Sequence, residues 1–327
     1  MRLVLRDINR LEPEDEPPVS LKENPGYSKM QVLCCAICRT DAKMWEQGHR
    51  DLVFPRVPGH EMVVRDQGNN RYVVWPGDNC EECEFCLQKR ANLCDRIKIC
   101  GFNFDGGFAD QVVVPDKSLI PVPGSLDSHV ACFAEPVGCV VNALENVFTE
   151  PNGRILIYGG GTMGLLAALY AKYHGWEPCI VESDSEKICN LQHFLEHTGI
   201  SCGNSVQGKK FSAAILACPD LNAFGQAIQK VDKGGQISFF SGITKGEYID
   251  THLLNLVHYK ELQLTGAYGT RKESMEMALD FMSQNSRELW MLVEDVVSPW
   301  DAPRLIPGIL SGKYLKYILD FTIQPEA

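Results

Sequence analysis

The feature that most constrains the fold is a glycine-rich turn between an apolar run and a helical pattern. Residues 154–158 have the composition of a buried strand, and the hexapeptide Gly-Gly-Gly-Thr-Met-Gly follows at positions 159–164. In such a strand–turn–helix unit, the glycines permit a tight turn, backbone approach to a pyrophosphate, and close packing of helix on strand. The helix N-terminus adds free N–H groups and a positive dipole end. We therefore predict a dinucleotide site formed by Gly159, Gly161, Thr162, Met163 and Gly164.

The alternation of helix and strand patterns continues beyond this turn. A helix is predicted over 164–174, and further strands over 179–182, 213–217 and 236–240. Such alternation is typical of a doubly wound parallel sheet, so we predict an α/β Rossmann domain over residues 138–267. Helical spacing predicts that the helix over 164–174 faces the sheet with Leu165, Leu166, Leu169, Tyr170 and Tyr173.

An acidic residue, Glu182, ends the strand predicted after this helix. A carboxylate there can accept hydrogen bonds from both ribose hydroxyls and would repel the 2′-phosphate of NADP. No arginine occurs in the five residues that follow it. The sequence therefore favours NAD as the cofactor, and the alternative is that Glu182 is only a solvated strand end.

Four cysteines within fifteen residues predict a metal site. Cys80, Cys83, Cys86 and Cys94 have the spacing of a loop in which four thiolates surround one Zn²⁺. Four protein ligands leave no position for water, so such a zinc is structural. Four unrelated thiols and an iron–sulfur cluster are the alternatives, but a fourth ligand separated from the third by only seven residues favours zinc.

The two flanking segments have a different pattern from the predicted Rossmann domain. Residues 1–137 are punctuated by proline and glycine and contain short β-type runs at 31–35, 71–75 and 110–114, which predicts a β-rich, loop-rich domain. Residues 268–327 contain a helical pattern at 274–282 and a strand pattern at 314–323. We predict that this last segment returns to the first domain, with a small appendage as the alternative.

Composition excludes several classes of protein. The 327 residues, 45% of them hydrophobic, are enough for two domains with large cores. A net charge of −11 argues against nucleic acid as a partner. The absence of a long apolar run argues against a membrane span, and the charged N-terminal segment does not resemble a signal peptide. With fourteen cysteines, these observations predict a cytoplasmic protein in a reducing compartment.

Three further motifs, in this order and with those above, carry a family resemblance: Cys38-Arg39-Thr40-Asp41, Gly59-His60-Glu61 and Ala134-Glu135-Pro136. Together with Asp-Gly-Gly-Phe-Ala-Asp at 105–110, they resemble the zinc-dependent medium-chain dehydrogenase/reductase family, in particular its sorbitol and threonine dehydrogenase branch. The likeness covers nearly the whole chain. It implies a GroES-like catalytic domain made of residues 1–137 and 268–327, two zinc ions per chain, a small hydroxy compound as substrate, and a homodimer or homotetramer.

The resemblance also implies roles for single residues. Cys38 and His60 match ligands of a catalytic zinc. Glu135 is the first candidate for the third ligand and Glu61 the second, while Cys132 and Cys139 are less favoured alternatives.

Other positions match residues that act beside the metal. Thr40 matches the hydroxyl that takes the substrate proton, and Asp41 matches the carboxylate that orients the histidine ligand. Arg39 and Lys316 match basic residues that contact the cofactor pyrophosphate, with ordinary charged side chains as the alternative reading. Lys43 stands where the family usually has a histidine that passes the proton to solvent. The segment 62–79 is shorter than in the family, which indicates a trimmed β-hairpin.

These features predict an NAD-linked, zinc-dependent dehydrogenase that oxidises a secondary alcohol, such as a polyol or sugar alcohol, to a ketone. A threonine-type or general alcohol dehydrogenase is the alternative within enzymes. A protein that binds NAD as a redox sensor, without turnover, is the alternative of another class.

Overall fold

The computed structural model describes residues 1–15, 25–145, 147, 153–208, 210–243, 246 and 248–323. The chain forms two compact units. The first consists of Met1–Gly138 together with the segment that begins at Thr270, and the second is Cys139–Gly269. The predicted boundaries, after residues 137 and 267, lie within two residues of these divisions.

The bounds of the elements are as follows. Within the described residues, the strands are β1 (Arg2–Asp7), β2 (Arg10–Glu14), β3 (Tyr27–Ala36), β4 (Glu61–Arg65), β5 (Arg71–Val74), β6 (Gly77–Asp78), β7 (Lys98–Ile99), β8 (Gln111–Pro115), β9 (Leu119–Pro121), β10 (Arg154–Tyr158), β11 (Glu177–Val181), β12 (Ser201–Gly203), β13 (Phe211–Leu216), β14 (Val231–Phe239), β15 (Gln263–Gly266), β16 (Val293–Val297) and β17 (Lys316–Asp320). The α-helices in the same residues are α1 (Arg39–Gln47), α2 (Glu84–Leu87), α3 (Ser128–Ala131), α4 (Ala134–Leu144), α5 (Thr162–Tyr173), α6 (Ser185–Asn190), α7 (Gln192–Thr198), α8 (Leu221–Lys230), α9 (Thr251–Lys260), α10 (Lys272–Gln284), α11 (Ser286–Trp290) and α12 (Ala302–Leu310).

The second unit is built on a six-stranded parallel sheet in the order β12-β11-β10-β13-β14-β15. The chain passes from β10 to β11 on one side and later to β13 on the other, so the strand order reverses at β10. In doubly wound sheets, ligands bind outside the carboxyl ends of the strands at such a reversal. Tyr158, the last residue of β10, pairs with Val181 and Leu216 of the two neighbours. The predicted Rossmann fold is therefore confirmed.

Helix α5 follows the glycine turn and packs on this sheet. Four of the five residues predicted to face the sheet are buried, but Tyr173 is 41% exposed. The prediction for Tyr173 was wrong because the helix ends at that residue. Its ring lies edge-on against His174, with 5.1 Å between the ring centroids.

The first unit is built on a seven-stranded sheet. Its order is β16-β17-β3-β4-β5-β9, and β8 also pairs with β3. Strands β16 and β17, from the segment after the second unit, are parallel to each other, and β17 is antiparallel to β3. Ala36, the last residue of β3, pairs with Glu61 on β4 and with Ile318 on β17. This register brings three distant parts of the sequence to one end of the sheet.

Each unit has its own hydrophobic core. In the first unit, fully buried side chains include Leu3, Phe108 and Leu319, so the N-terminal and C-terminal segments share one core. In the second unit, Leu156 and Phe211 are fully buried on the sheet side that packs against the helix residue Phe224. Burial of such side chains contributes roughly 1.5 to 3 kcal/mol each.

Candidate metal centres and nucleotide site

The four cysteines of the predicted structural site meet in the structure. The sulfur atoms of Cys80, Cys83, Cys86 and Cys94 all lie within 4.8 Å of one another. The Sγ–Sγ distances are 3.5 Å for Cys83–Cys86 and Cys80–Cys94, and 3.9 Å for Cys80–Cys86. Four sulfurs at the usual Zn–S distance of about 2.3 Å form a tetrahedron with edges of about 3.8 Å. The cluster therefore fits a zinc ion without rearrangement of the loop.

Backbone N–H groups of this loop point at the sulfurs. The amide of Cys83 donates to Cys80 Sγ, and the amides of Cys80 and Arg96 donate to Cys94 Sγ, each at 3.4 Å. Hydrogen bonds from the Glu82 and Cys83 amides lower the pKa of the Cys80 thiol to about 6. Donors of this kind favour thiolate, which is the form that binds metal.

A second cluster lies at the end of the seven-stranded sheet and consists of Cys38, His60 and Glu61. Their candidate ligand atoms are within 4.8 Å of one another. Ligands of one zinc ion stand about 3.3 to 3.8 Å apart in a tetrahedral site, so small side-chain movements would suffice. Cys38 is the N-cap of α1, and its sulfur accepts a hydrogen bond from the Thr40 amide at 3.4 Å. The start of α1 thus positions the sulfur of a predicted ligand.

The carboxylate of Asp41 connects the segments that carry these residues. It is 1% exposed, and its two oxygens accept hydrogen bonds from the amides of Cys38, at 2.9 Å, and Gly59, at 3.3 Å. Oδ1 also lies 3.4 Å from Nδ1 of His60, which is longer than a typical hydrogen bond. Because Nδ1 faces Asp41, Nε2 is the ring nitrogen that would bind the metal. This arrangement supports the predicted orienting role of Asp41.

Electrostatics at His60 follow from the same neighbours. Burial alone would lower the pKa of this imidazole, but the negative charge of Asp41 and the adjacent Cys38 raise it well above its usual value. Metal binding here would therefore displace a proton.

Lys316 lies inside the first unit, in contact with this second cluster. Its Nζ donates to both carboxylate oxygens of Glu61, at 2.6 and 2.9 Å, and the lysine is 4% exposed. The sequence interpretation placed Lys316 on the cofactor pyrophosphate. In the structure its ammonium is instead committed to Glu61, 255 positions away in sequence. No local sequence pattern could have revealed this pairing.

The other residues that the sequence suggested as a third ligand are not part of this cluster. Among the described residues, the cluster with Cys38 and His60 contains Glu61 and not Glu135, although the charge of Glu135 does act on Lys316. Cys132 is buried, and its thiol contacts Cys34 Sγ at 3.4 Å. Cys139 belongs to the second unit. The geometry thus favours Glu61 over Glu135, the reverse of the order that the motifs suggested.

Three polar residues of α1 remain. Thr40 is half-buried and lies two residues after Cys38. Lys43, one turn further along the helix, is half-buried, and desolvation together with the charge of Arg39 lowers its pKa. Arg39 is exposed and donates to the Leu310 carbonyl at 3.0 Å.

The glycine turn of the second unit has the geometry that a dinucleotide requires. Gly159 has a positive φ of 106°, which favours glycine. A Cβ on Gly164 would lie 1.9 Å from the Gly159 carbonyl oxygen, whereas a Cβ on Gly161 would meet no atom within 4 Å. Gly161 is the N-cap of α5, and Thr162 and Met163 form its first turn. The open space at Gly161 fits a pyrophosphate on the helix N-terminus.

Glu182 lies beside this turn and is 6% exposed. Its Oε2 accepts from the Gly160 amide at 2.8 Å and from Lys187 Nζ at 3.2 Å, and its Oε1 accepts from the Asp184 amide at 3.0 Å. Burial would raise the pKa of Glu182, but the two amides and Lys187 lower it overall. Glu182 is therefore an ionised carboxylate beside the glycine turn, and Lys187 is a partner that the sequence interpretation missed.

Comparison with known proteins gives a consistent family. The alcohol dehydrogenase GroES-like domain matches residues 24–124. The chain is 28% identical to D-altritol 5-dehydrogenase of Agrobacterium fabrum over 82% of this chain and 84% of that protein. It is 25% identical to sorbitol dehydrogenase of Halalkalibacterium halodurans, over 89% of this chain and 90% of that protein. It is 28% identical to L-threonine 3-dehydrogenase of Pyrococcus furiosus, over 76% of this chain and 77% of that protein.

These matches support a zinc-type medium-chain dehydrogenase family for the chain. The chain is therefore an alcohol oxidoreductase of a family that uses zinc and a nicotinamide cofactor. The metal clusters and the glycine turn described above are the parts of the chain that fit these groups.

Solved structures support the fold of this zinc-type dehydrogenase. A zinc-binding dehydrogenase of Sinorhizobium meliloti bound to NADP is similar with a TM-score of 0.87, at 21% identity and 98% coverage of both chains. L-idonate 5-dehydrogenase of Escherichia coli is similar with a TM-score of 0.86, at 16% identity, over 98% of this chain and 97% of that chain. None of the helices in the described part of the chain is both long enough and apolar enough to span a membrane.

Proposed function

We propose that this chain is an NAD-linked, zinc-dependent dehydrogenase that oxidises a secondary hydroxyl of a polyol, sugar alcohol or similar small hydroxy compound to a ketone, and catalyses the reverse reaction. The observation that carries the proposal is the convergence of Cys38, His60 and Glu61 around the buried Asp41 carboxylate. In a protein with a nucleotide-binding glycine turn, this ligand set is suited to an alcohol substrate.

Cys38 and His60 would hold the catalytic zinc, with Glu61 or Glu135 as a third protein ligand. Zinc held in this way supplies a Lewis acid that lowers the pKa of an alcohol toward neutrality. Asp41 fixes the imidazole of His60 and the amide of Cys38, so the ligands are preorganised before substrate binds.

Thr40 is the group proposed to take the substrate proton, at its Oγ1. This hydroxyl belongs to the second residue after Cys38, in the first turn of α1. Lys43, three residues further along the same helix, is placed one turn away from Thr40. The lowered pKa of Lys43 would assist proton transfer toward solvent, a role that the family usually gives to a histidine.

NAD is the proposed cofactor, and its nicotinamide carbon would accept the hydride. Gly161 leaves room for the pyrophosphate, and the N-terminus of α5 faces it. The ionised Glu182 would accept hydrogen bonds from the ribose hydroxyls and disfavour a 2′-phosphate. Arg39 is proposed as a further cofactor contact because its guanidinium is exposed.

The proposed substrate class rests on the relatives, two of which are named for altritol and sorbitol. A threonine-type activity is the second candidate, because the Pyrococcus furiosus relative is named for L-threonine. We also propose two zinc ions per chain, a homodimer or homotetramer, and a cytoplasmic location. Metal analysis, size-exclusion chromatography and cell fractionation test these three statements.

A substrate panel tests the activity. Polyols, sugar acids, L-threonine and simple alcohols are each supplied with NAD, and NADH absorbance is followed. Turnover is expected with a polyol and should be lost in Cys38→Ser and His60→Ala but kept in Cys189→Ser, which changes an exposed cysteine. If NAD binds but no compound in the panel is oxidised, the chain is an NAD-binding sensor and the proposed enzyme is wrong.

The choice of cofactor has its own test. Glu182→Ala should narrow the preference for NAD over NADP, measured as the ratio of the two dissociation constants. Asp232→Ala, which changes an exposed acidic residue of the same unit, is the control. An unchanged ratio in Glu182→Ala would mean that this carboxylate does not contact the ribose.

A further inference from the structure

A buried ion pair occupies the inner side of the proposed catalytic site. The ammonium of Lys316 donates to both oxygens of Glu61, at 2.6 and 2.9 Å. The exposed fractions of the two side chains are 5% and 1%. A buried lysine and a buried carboxylate are each costly alone, so each holds the other in place.

The same Glu61 carboxylate belongs to the group of candidate metal ligands. It lies within 4.8 Å of the ligand atoms of Cys38 and His60. One carboxylate therefore has two cations available to it, the Lys316 ammonium and a divalent ion bound at the cluster. Bonds to one of them weaken its interaction with the other, because both draw on the same oxygen lone pairs.

The sheet register makes this competition a fixed property of the site. Glu61 begins β4 and Lys316 begins β17, and both strands pair with the end of β3. The two side chains are thus anchored on the two strands that flank β3, and neither can leave without losing a buried contact. Cys38 and Glu135 add negative charge around the ammonium.

We propose that Lys316 competes with the catalytic metal ion for the Glu61 carboxylate, and so weakens metal binding and prevents Glu61 from becoming a permanent protein ligand of that ion. This inference rests on the proposed metal site at Cys38 and His60. Lys316 is here a positioning residue that acts through Glu61. Each protein ligand that leaves the metal ion opens a position for the substrate oxygen, which catalysis requires.

Metal affinity in a double-mutant cycle tests the competition. Zn²⁺ affinity is measured against a chromophoric chelator in the full-length wild type, Lys316→Met, Glu61→Gln and the double variant. Lys316→Met should bind the catalytic Zn²⁺ at least tenfold more tightly than the wild type. The gain should vanish when Glu61→Gln is already present. If the gain persists in the Glu61→Gln background, Lys316 acts only by charge repulsion and the proposal is overturned.

The absorption spectrum of Co²⁺ gives a readout of coordination that does not depend on activity. With Co²⁺ at the catalytic site, the visible bands should change between wild type and Lys316→Met as Glu61 enters the coordination sphere. They should not change between Glu61→Gln and the double variant. Identical spectra in wild type and Lys316→Met would contradict the proposal.

Controls separate folding and the underlying site from the inference. The zinc at Cys80, Cys83, Cys86 and Cys94 reports whether the first unit is folded in each variant. If Lys316→Met loses that zinc, Lys316→Gln, which removes the charge and keeps a donor, replaces it and should show a gain in the same direction. If Cys38→Ser removes no metal from the wild type, the proposed function fails. If it removes one and the cycle shows no coupling, the inference alone fails.

Discussion

Asp41 connects two ligand segments that are far apart in sequence. Its carboxylate accepts amide hydrogen bonds from Cys38, at the start of α1, and from Gly59, directly before His60. A buried carboxylate with such donors is costly to remove, because the donors would be left without partners. The ligand geometry therefore depends on this residue as well as on the ligands themselves.

Substitution by alanine should have different effects at two positions of the glycine turn, Gly161 and Gly164. Gly161→Ala should leave stability within about 1 kcal/mol of wild type, since its Cβ meets no atom, but should lower NAD affinity at least tenfold. Gly164→Ala should destabilise the second unit by about 3 kcal/mol or more, because its Cβ would overlap the Gly159 carbonyl. Thermal unfolding and NAD titration measure the two effects. Equal losses of stability in both variants would contradict this assignment.

Single residues were predictable where local spacing carries the chemistry. The four-cysteine loop and the glycine turn are short-range patterns, and the structure brings their members together. The pairing of Lys316 with Glu61 depends on strand neighbours that no local pattern encodes. The contact between Glu182 and Lys187 spans only five residues, but it depends on the path of the chain after β11.

At the scale of elements, the end of β3 organises the first unit. It pairs with β4 and β17, and the chain then leaves it to begin α1 at the Cys38 cap. Side chains alternate between the two faces of a sheet. A shift of either strand by one residue against β3 would therefore turn Glu61 and Lys316 away from each other. The register is thus as important to the proposed site as the identity of its side chains.

The other end of β17 makes a testable contact with α3. Asp320 accepts hydrogen bonds from Thr322 Oγ1 at 2.6 Å and contacts His129 Nε2 at 2.8 Å. Burial would raise the pKa of Asp320, but these hydrogen bonds outweigh it and lower the pKa overall. Ionised Asp320 therefore stabilises the fold above the unfolded-state pKa, and this contribution is lost as the pH falls through the folded-state value.

Asp320→Asn should consequently lower the free energy of unfolding by about 1 to 3 kcal/mol at pH 7. The difference from wild type should begin to shrink below about pH 4, the unfolded-state pKa of an aspartate, and should go on shrinking down to the lowered folded-state pKa. Denaturant unfolding across this pH range measures the difference in the free energy of unfolding. The control is Asp280→Asn, which changes an exposed residue of a helix. A difference that stays constant from pH 7 to pH 3 would show that ionisation of Asp320 is not responsible.

Elements with strong local patterns were predicted closely, and those with weak patterns were not. Strand β10 has the predicted bounds, and α5 begins two residues before the predicted helix. The strand predicted over 314–323 is confined to Lys316–Asp320, because the chain turns at Phe321 and Thr322. Pairing order within either sheet was beyond sequence reasoning, since it depends on contacts between distant strands.

At the scale of the whole molecule, the proposed chemistry is divided between the two units. Among the described residues, both metal-type clusters lie in the first unit and the glycine turn lies in the second. Each unit also has its own core. The proposed metal sites and the proposed nucleotide site therefore rest on separate cores.

Metal removal should separate these two properties. Treatment with a strong chelator should lower the unfolding temperature, because the loop of Cys80–Cys94 loses the cross-link that zinc provides. NAD affinity should change less than threefold, since Gly161 and Glu182 belong to the other unit. Metal content, thermal unfolding and NAD titration are measured on the same sample, and zinc re-addition is the control. A parallel loss of NAD binding would contradict the prediction.

The position of β17 in the chain has a consequence for biosynthesis. The ribosome makes β3 and β4 first, then the entire second unit, and only afterwards the strand that pairs with β3 and carries Lys316. The edge of β3 stays open during that interval, and Glu61 has no ammonium beside it. A nascent chain can thus fold its second unit before the sheet of its first unit is complete, and the pair of Lys316 and Glu61 forms only after that.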